Sequence, residues 1–211
     1  GCPSSDTARA IRYAADSGAK VINLSLGGPV PSSVQREALV YAVQKGAFVA
    51  IAAGNEYDEG NPTSYPAAYA KEIEGVVAVG AVDRNLKRAY YSNTGAYVEI
   101  AAPGGDLEMG SSGGILQQTL NNSYFAYPPS YLVIPRFNVL SYVALQGTSM
   151  ATPHVSGLAA LLASRQINRP EVIEAALKRF ARDLGPTGRD DEYGSGLIDA
   201  KATLRGLGVA R

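Results

Sequence analysis

The sequence predicts an α/β fold with three layers: a doubly wound, mostly parallel sheet with helices on both faces. Strand-like apolar segments alternate with segments of helical periodicity along most of the chain. These strands are apolar almost throughout, as expected when helices cover both faces of a parallel sheet. No Pro- or Ser-rich linker divides the 211 residues. We therefore expect a single domain over residues 1–211.

The strands are predicted from short apolar runs bounded by turn residues. They cover residues 21–26, 48–53, 76–82 and 98–102. All six residues of the second run are apolar, which favours a central position in the sheet. Because a helix separates the first two strands, they are expected to form a right-handed βαβ unit.

The helices are predicted from apolar residues at helical spacing and from capping residues. They cover residues 6–17, 33–45, a segment that begins after Ser149, residues 170–180 and a short segment after Asp199. Ser5 or Asp6 is the expected N-cap of the first helix. Ser32 and Gln35 have the spacing of a capping box at the start of the second helix.

Residues 106–142 depart from this alternation. Gly, Ser, Asn, Pro and Tyr dominate there, and the periodicity weakens. We predict a long loop insertion, with strand-like segments at 115–120 and 139–145.

Charge and composition exclude several classes of partner. The chain has 19 Lys and Arg against 19 Asp and Glu, and no basic run. The charge pattern expected of a nucleic-acid or membrane-surface binder is therefore missing. No apolar stretch approaches the roughly 20 residues needed to cross a bilayer. Peptides and neutral molecules therefore remain as partners. The single cysteine, Cys2, excludes an internal disulfide.

The octapeptide at 147–154, with the sequence GTSMATPH, places Ser149 at the start of a predicted helix. The positive end of the helix dipole and the free N–H groups there favour developing negative charge, which suits a nucleophile. The alternative is a simple N-cap. A nucleophilic serine needs a base, and the only histidine in the sequence is His154. It follows Ser149 by five residues, so it points about 140° away and lies about 7.5 Å further along the helix.

This octapeptide resembles the segment around the nucleophile of the subtilisin-like serine proteases (subtilases). Other family landmarks occur in the expected order, at 25–27, 52–55, 65–66, 79–83, 102–104 and 193–197. The resemblance covers nearly the whole chain except 106–142. It implies a serine endopeptidase that acts on peptide or protein substrates through an acyl-enzyme on Ser149. The Asn55 side chain and the Ser149 backbone N–H would then bind the oxyanion.

The resemblance also implies the substrate-binding residues. Ser25, Leu26 and Gly27 match the strand that pairs with the substrate backbone. The wall of the S1 pocket would consist of Ala52, Ala53 and Gly54, with Glu56 at its mouth and Ser64 at its base. Such a pocket suggests tolerance of large P1 side chains.

A cation site is a further implication of the resemblance. Glu99, with the carbonyls of Ala67 and Tyr69, matches a secondary site in some subtilases that would hold Ca²⁺ or a monovalent ion weakly. A solvated surface glutamate is the alternative. No cofactor is required for the implied chemistry.

The chain departs from the subtilase pattern at its start. Subtilases carry the catalytic Asp and His, in that order, upstream of the substrate-binding strand. Here that strand begins at Val21, and Asp6 is interpreted as a capping residue. The chain therefore resembles the C-terminal part of the domain, without its N-terminal strands, and we expect it to be nearly inactive alone. A missing N-terminal part or a second copy is the expected partner, because the edge of the first strand would be exposed. The family implies a secreted protein.

Three other interpretations compete with this one. A non-catalytic peptide-binding pseudoprotease would keep the groove but has no physical need of Ser149 and Asn55. The sedolisin branch also has Gly-Thr-Ser before a proline, but its motif does not continue into Met-Ala-Thr-Pro-His. A nucleotide-binding α/β domain would require a Gly-x-Gly-x-x-Gly or a phosphate-loop lysine, and none opens a helix here.

Overall fold

A four-stranded parallel sheet lies at the centre of the structure, a computed structural model that describes residues 2–120 and 140–209. The strands lie side by side in chain order: β1 (Val21–Leu24), β2 (Phe48–Ala52), β3 (Val76–Val82) and β4 (Val98–Pro103). Each strand pairs in parallel with its neighbour. Every residue of β2 and β3 is buried, as predicted from their apolar sequences. The first strand ends at Leu24, so the substrate-strand segment at 25–27 continues beyond the sheet.

Helices cover both faces of this sheet. They are α1 (Ser4–Asp16), α2 (Ser33–Gln44), α3 (Thr148–Ser164), α4 (Pro170–Arg179) and α5 (Ala200–Gly206). Ile11 of α1 and Leu39 of α2 belong to one buried apolar cluster. Leu162 of α3 and Ile173 of α4 belong to a second cluster on the other face. The three-layer α/β prediction is therefore confirmed.

The predicted caps are partly wrong. Helix α1 begins at Ser4, because the N–H groups of Asp6 and Thr7 both donate to the carbonyl of Pro3. Ser5 and Asp6 thus lie inside the first turn, where the Asp6 carboxylate still interacts favourably with the helix dipole. At α2, Ser32 is the N-cap, and its hydroxyl accepts from the Gln35 N–H at 3.4 Å.

The described part of the predicted loop at 106–142 contains more regular secondary structure than its composition suggests. It contains two short 3₁₀ helices (Leu107–Met109 and Ser111–Gly113). An antiparallel hairpin follows, made of β5 (Ile115–Leu120) and β6 (Leu140–Leu145). Both strand-like segments are thus confirmed where they are described. Residues 121–139 of the predicted insertion lie outside the described residues.

Candidate active site

The N-terminus of α3 lies at the carboxyl end of the sheet, where parallel α/β folds place their ligands. The hydroxyl of Ser25, which follows β1, donates to the backbone carbonyl of Ser149 at 2.8 Å. The Ser149 Oγ lies 3.5 Å from the Ser25 carbonyl. The fold thus brings the predicted nucleophile next to the segment predicted to pair with a substrate.

Asn55, which follows β2, is held in one orientation by Thr148. The Thr148 N–H and hydroxyl both donate to Asn55 Oδ1, at 2.8 and 2.9 Å. This leaves the Asn55 amide NH₂ group directed away from Thr148. A methyl group added at Gly147 would lie 3.6 Å from the Ser149 nitrogen and 3.7 Å from Asn55 Nδ2. Asn55 Oδ1 lies 3.6 Å from the same position, so the Ser149 nitrogen and the Asn55 carboxamide lie close together beside Gly147.

A cavity of about 120 Å³ opens beside these groups. Its lining contains the predicted catalytic residues Asn55 and Ser149, the neighbouring Thr148, and six of the eight predicted substrate-binding residues: Leu26, Gly27, Ala52, Gly54, Glu56 and Ser64. Ser25 is linked to this group through Ser149. Ala53 is fully buried, and its carbonyl accepts a hydrogen bond from the Tyr97 hydroxyl at 2.9 Å.

Glu56 and Ser64 occupy different parts of the cavity wall. Glu56 Oε2 accepts from the Asn55 N–H at 2.8 Å and from Asn93 Nδ2 at 3.3 Å. Its carboxylate is thus fixed to the wall that carries Asn55. Ser64 is only 3% exposed, so it forms an inner surface of the cavity.

Asn93 is a supporting residue that the sequence did not reveal. It is fully buried, and its Oδ1 accepts from the Glu56 N–H at 2.7 Å while its Nδ2 donates to the Pro62 carbonyl at 3.0 Å. Its backbone N–H donates to the Gly54 carbonyl at 3.1 Å. Asn93 therefore holds the segment around Asn55 from behind. A single polar residue in a loop gives no sequence signal for such a role.

Tyr91 supports the other side of the site. Its hydroxyl donates to the Gly105 carbonyl at 2.7 Å and accepts from the Gly147 N–H at 2.9 Å. Burial raises the pKa of Tyr91 above its ordinary value of 10.0, so the hydroxyl keeps its proton under ordinary conditions. The segment before Ser149 is thus tied to the end of β4.

Tyr91→Phe is expected to destabilise the fold by about 1–2 kcal/mol, because it removes a buried bridge between two backbone groups. Urea denaturation followed by circular dichroism measures this loss. Tyr13→Phe is the matched control, since Tyr13 is 76% exposed. Equal midpoints for the two variants would contradict a supporting role for the Tyr91 hydroxyl.

The carboxylate predicted to bind a cation forms an ion pair inside the protein. Glu99 pairs with the ammonium group of Lys178, which also contacts Glu174 Oε1 at 2.6 Å. A metal ion at the Glu99 side chain would have to displace Lys178. Within residues 2–120 and 140–209, no group of three His, Cys, Asp or Glu side chains is arranged to hold a metal ion. The predicted cation site at Glu99 with the Ala67 and Tyr69 carbonyls, which contains only one such side chain, stays a prediction.

His154 is exposed on α3, and its Nδ1 lies 2.9 Å from the carbonyl of Met150, one turn earlier. The imidazole is thus engaged with its own helix.

Among the helices of the described part of the chain, none is both long and apolar enough to cross a membrane.

Comparison with known proteins identifies the family to which this geometry belongs. Residues 1–196 match the sequence profile of the subtilase family. The chain belongs to the subtilase family. It is 41% identical over 191 residues to the thermophilic serine proteinase of Bacillus sp. (strain AK1), covering 90% of this chain and 39% of that protein. It is also 41% identical over 182 residues to thermitase of Thermoactinomyces vulgaris, covering 86% of this chain and 53% of thermitase.

The structure is similar to that of a solved protease as well. A protease of Pseudoalteromonas arctica PAMC 21717 superposes with a TM-score of 0.77 at 34% identity. The match covers 98% of this chain and 59% of that structure. The chain thus has the subtilisin-like fold over nearly all of its length, and it spans less than two thirds of each of these three proteins.

Proposed function

We propose that this chain carries the nucleophile and the oxyanion site of a serine endopeptidase. The observation that carries the proposal is that the Ser149 nitrogen and Asn55 Nδ2 lie within 3.7 Å of one point beside Gly147 and that both residues line one cavity. Two donors fixed before the reaction stabilise the charge that develops on a carbonyl oxygen during acyl transfer. The α3 N-terminus contributes positive potential at the same point.

In the proposed reaction, Ser149 Oγ attacks the carbonyl carbon of the scissile peptide bond and loses its proton to a general base. The carbonyl oxygen becomes an oxyanion that the Ser149 and Asn55 donors bind. Collapse of this intermediate breaks the C–N bond, and the protonated base donates to the leaving amine. Water then hydrolyses the acyl-enzyme. No step requires a metal ion or a cofactor.

The proposed substrate lies along the segment 25–27. Gly27 is exposed, and its backbone has no hydrogen bond to any residue that the structure describes. Free backbone groups beside a nucleophile suit an extended peptide that adds a strand. The residue before the scissile bond would enter the cavity between Asn55 and Ser64.

The general base is proposed to come from outside this sequence, because the only histidine, His154, is engaged with α3. The engagement of His154 with α3 also favours a second candidate function, that of a non-catalytic peptide-binding pseudoprotease. The two candidates differ in whether Ser149 becomes nucleophilic in the complete protein.

Labelling with a fluorophosphonate probe separates these candidates. We expect Ser149 of the complete protein to be labelled at least about 10³-fold faster than Ser149 of the 211-residue chain, because a lone serine lacks a base. Ser149→Ala is the control for probe specificity. Fast labelling of the 211-residue chain would refute an external base, and no labelling of the complete protein would favour the pseudoprotease.

A partner along β1 is also proposed, either an N-terminal part of the domain or a second copy of the chain. The support is that β1 is an outer strand of the four-stranded sheet that the described residues form. A monomeric mass by light scattering, with no bound fragment in intact mass spectrometry, would argue against both partners.

We also propose a location outside the cell, which membership of the subtilase family supports.

A further inference from the structure

The backbone carbonyl of Ser149 loses its usual helical partner to a proline. In an α-helix each carbonyl accepts from the N–H four residues later, and the residue four positions after Ser149 is Pro153, inside α3. Proline has no N–H, so this carbonyl requires another donor. The hydroxyl of Ser25 supplies one at 2.8 Å. The backbone of the proposed nucleophile is therefore fastened to the segment that follows β1.

The side chain of Asn23 sets the direction of this bond. Asn23 Nδ2 donates to Ser25 Oγ at 2.9 Å, so the hydroxyl accepts from β1 and keeps its own proton for the Ser149 carbonyl. With the carboxamide turned over, its oxygen would face Ser25 and compete with Ser149 for that proton. The orientation of the Asn23 carboxamide therefore decides whether the Ser149 carbonyl receives its bond.

Ser156 holds the carboxamide in this orientation. It follows Ser149 by seven residues, so at 100° per residue it returns to within about 20° of the same face of α3. Its hydroxyl donates to Asn23 Oδ1 at 2.8 Å. Three hydrogen bonds thus run in one direction, from Ser156 through Asn23 and Ser25 to the Ser149 carbonyl. These three bonds are called the β1–α3 bridge below.

The β1–α3 bridge lies at the surface, since Asn23 and Ser25 are exposed. Water competes for exposed hydrogen bonds, so the contribution of the bridge to folding stability is small. Its effect on geometry is more specific, because it ends on the residue that carries both the Ser149 Oγ and the proposed oxyanion N–H. Holding the carbonyl restricts rotation of the Ser149 backbone, and with it the directions of these two groups.

We propose that Asn23 is a positioning residue for the nucleophile, which acts through the Ser25 hydroxyl on the Ser149 carbonyl. This inference rests on the proposed serine endopeptidase function. A misplacement of about 1 Å can cost roughly 10² in rate, because the reacting atoms must be aligned before they react. Release of the Ser149 carbonyl should therefore lower kcat more than it changes KM.

NMR of the Ser149 carbonyl tests the β1–α3 bridge without catalysis. The sequence contains two methionines, and only Met150 follows a serine. Labelling with carbonyl-¹³C serine and ¹⁵N methionine therefore gives one HNCO signal, from the Ser149 carbonyl and the Met150 N–H. A carbonyl carbon moves upfield when it loses a hydrogen bond. In the 211-residue chain we expect this upfield shift in Ser25→Ala. Ser25→Thr keeps a hydroxyl and should retain the parent position.

Asn23→Asp tests the direction of the bridge in the same experiment. The carboxylate has nearly the shape of the carboxamide but only accepts, so it should draw the Ser25 hydroxyl away from Ser149. We expect an upfield shift like that of Ser25→Ala. Asn85→Asp, at an exposed asparagine, introduces the same charge elsewhere and should leave the signal in place. An unchanged signal in Asn23→Asp would refute the role of Asn23, whatever the activity.

Peptide hydrolysis by the complete protein tests the consequence for catalysis. We expect Asn23→Leu, which removes the carboxamide without adding charge, to lower kcat roughly tenfold with little change in KM. Adding Ser25→Ala to Asn23→Leu should cause little further loss, because both changes release the same carbonyl. Ser156→Ala should lower kcat by a smaller factor, because Asn23 keeps its bond to Ser25.

The outcomes separate the positioning role from the proposed function. An upfield shift with unchanged kcat would show that the β1–α3 bridge exists and does not position the nucleophile, which overturns the inference. Additive losses in the double variant would also overturn it, because Asn23 would then act independently of Ser25. Absence of hydrolysis by the parent complete protein would instead refute the proposed function, and with it the catalytic consequence of the bridge.

Discussion

Asn55→Leu is expected to lower kcat of the complete protein about 10²–10³-fold while KM changes little, a loss of the size known for oxyanion donors in this protease family. Leucine keeps the shape of asparagine but has no N–H group. The loss falls on kcat because the donor binds an oxygen that is charged only in the transition state. Steady-state hydrolysis of a chromogenic peptide measures both constants. An unchanged kcat would show that Asn55 does not bind the oxyanion.

Thr148 provides the internal control for this result. Its N–H and hydroxyl fix Asn55 Oδ1, so Thr148→Val should lower kcat by a smaller factor through Asn55. Adding Thr148→Val to Asn55→Leu should then cause little further loss. Independent, additive losses would mean that the Thr148 hydroxyl acts on the substrate directly. Asn85→Leu, at an exposed asparagine, controls for the change of residue type.

The sheet and the position of Ser149 at the start of α3 were predictable because both depend on local sequence. Apolar runs such as 48–53 and 76–82 identify strands that must be covered on both faces. The octapeptide at 147–154 identifies the start of a helix and its serine. Parallel strands then place their carboxyl ends at one edge, which is why Ser25, Asn55 and Ser149 meet.

The supporting contacts were not predictable because they join residues distant in sequence. The Tyr69 hydroxyl takes the Ser32 N–H and breaks the expected capping box, although the two residues are far apart in the chain. Asn93 and Tyr91 bond to backbone groups near Asn55 and Ser149 through buried contacts. Helix α1 started earlier than predicted because the Pro3 carbonyl was available. The tertiary structure therefore determines which polar groups form hydrogen bonds with one another.

The ion pair at Glu99 is a further contact between residues that are distant in sequence. The resemblance to subtilases predicts a cation ligand at Glu99, and the fold brings the ammonium group of Lys178 on α4 to this carboxylate. Burial raises the pKa of Glu99 above its ordinary value of 4.5, although the bond to Lys178 opposes this. Burial also tends to lower the pKa of Lys178, but its bonds to Glu174 and Glu99 outweigh that effect and raise it above 10.5.

The directions of these two pKa shifts determine how the contributions of Glu99 and Lys178 to stability change with pH. The raised pKa of Lys178 means that its contribution to stability is present below its unfolded value and is lost as pH rises through the folded value, above 10.5. The raised pKa of Glu99 means that the folded state favours the protonated acid. Its contribution is therefore present below 4.5 and is lost as pH rises through the folded value. Near neutral pH, Lys178 offsets the unfavourable charge on Glu99.

Lys178→Met should therefore lower the free energy of unfolding by about 3–5 kcal/mol at pH 8, because it leaves a buried carboxylate without its cation. The loss should shrink toward pH 5, where Glu99 takes up a proton more readily than an unfolded glutamate. Urea midpoints at the two pH values measure the difference.

Lys71→Met, at an exposed lysine, should change neither midpoint appreciably. Adding Glu99→Gln to Lys178→Met should restore part of the stability at pH 8, because the uncompensated charge is then gone. An equal loss at both pH values would mean that Lys178 stabilises the fold by packing and not by charge.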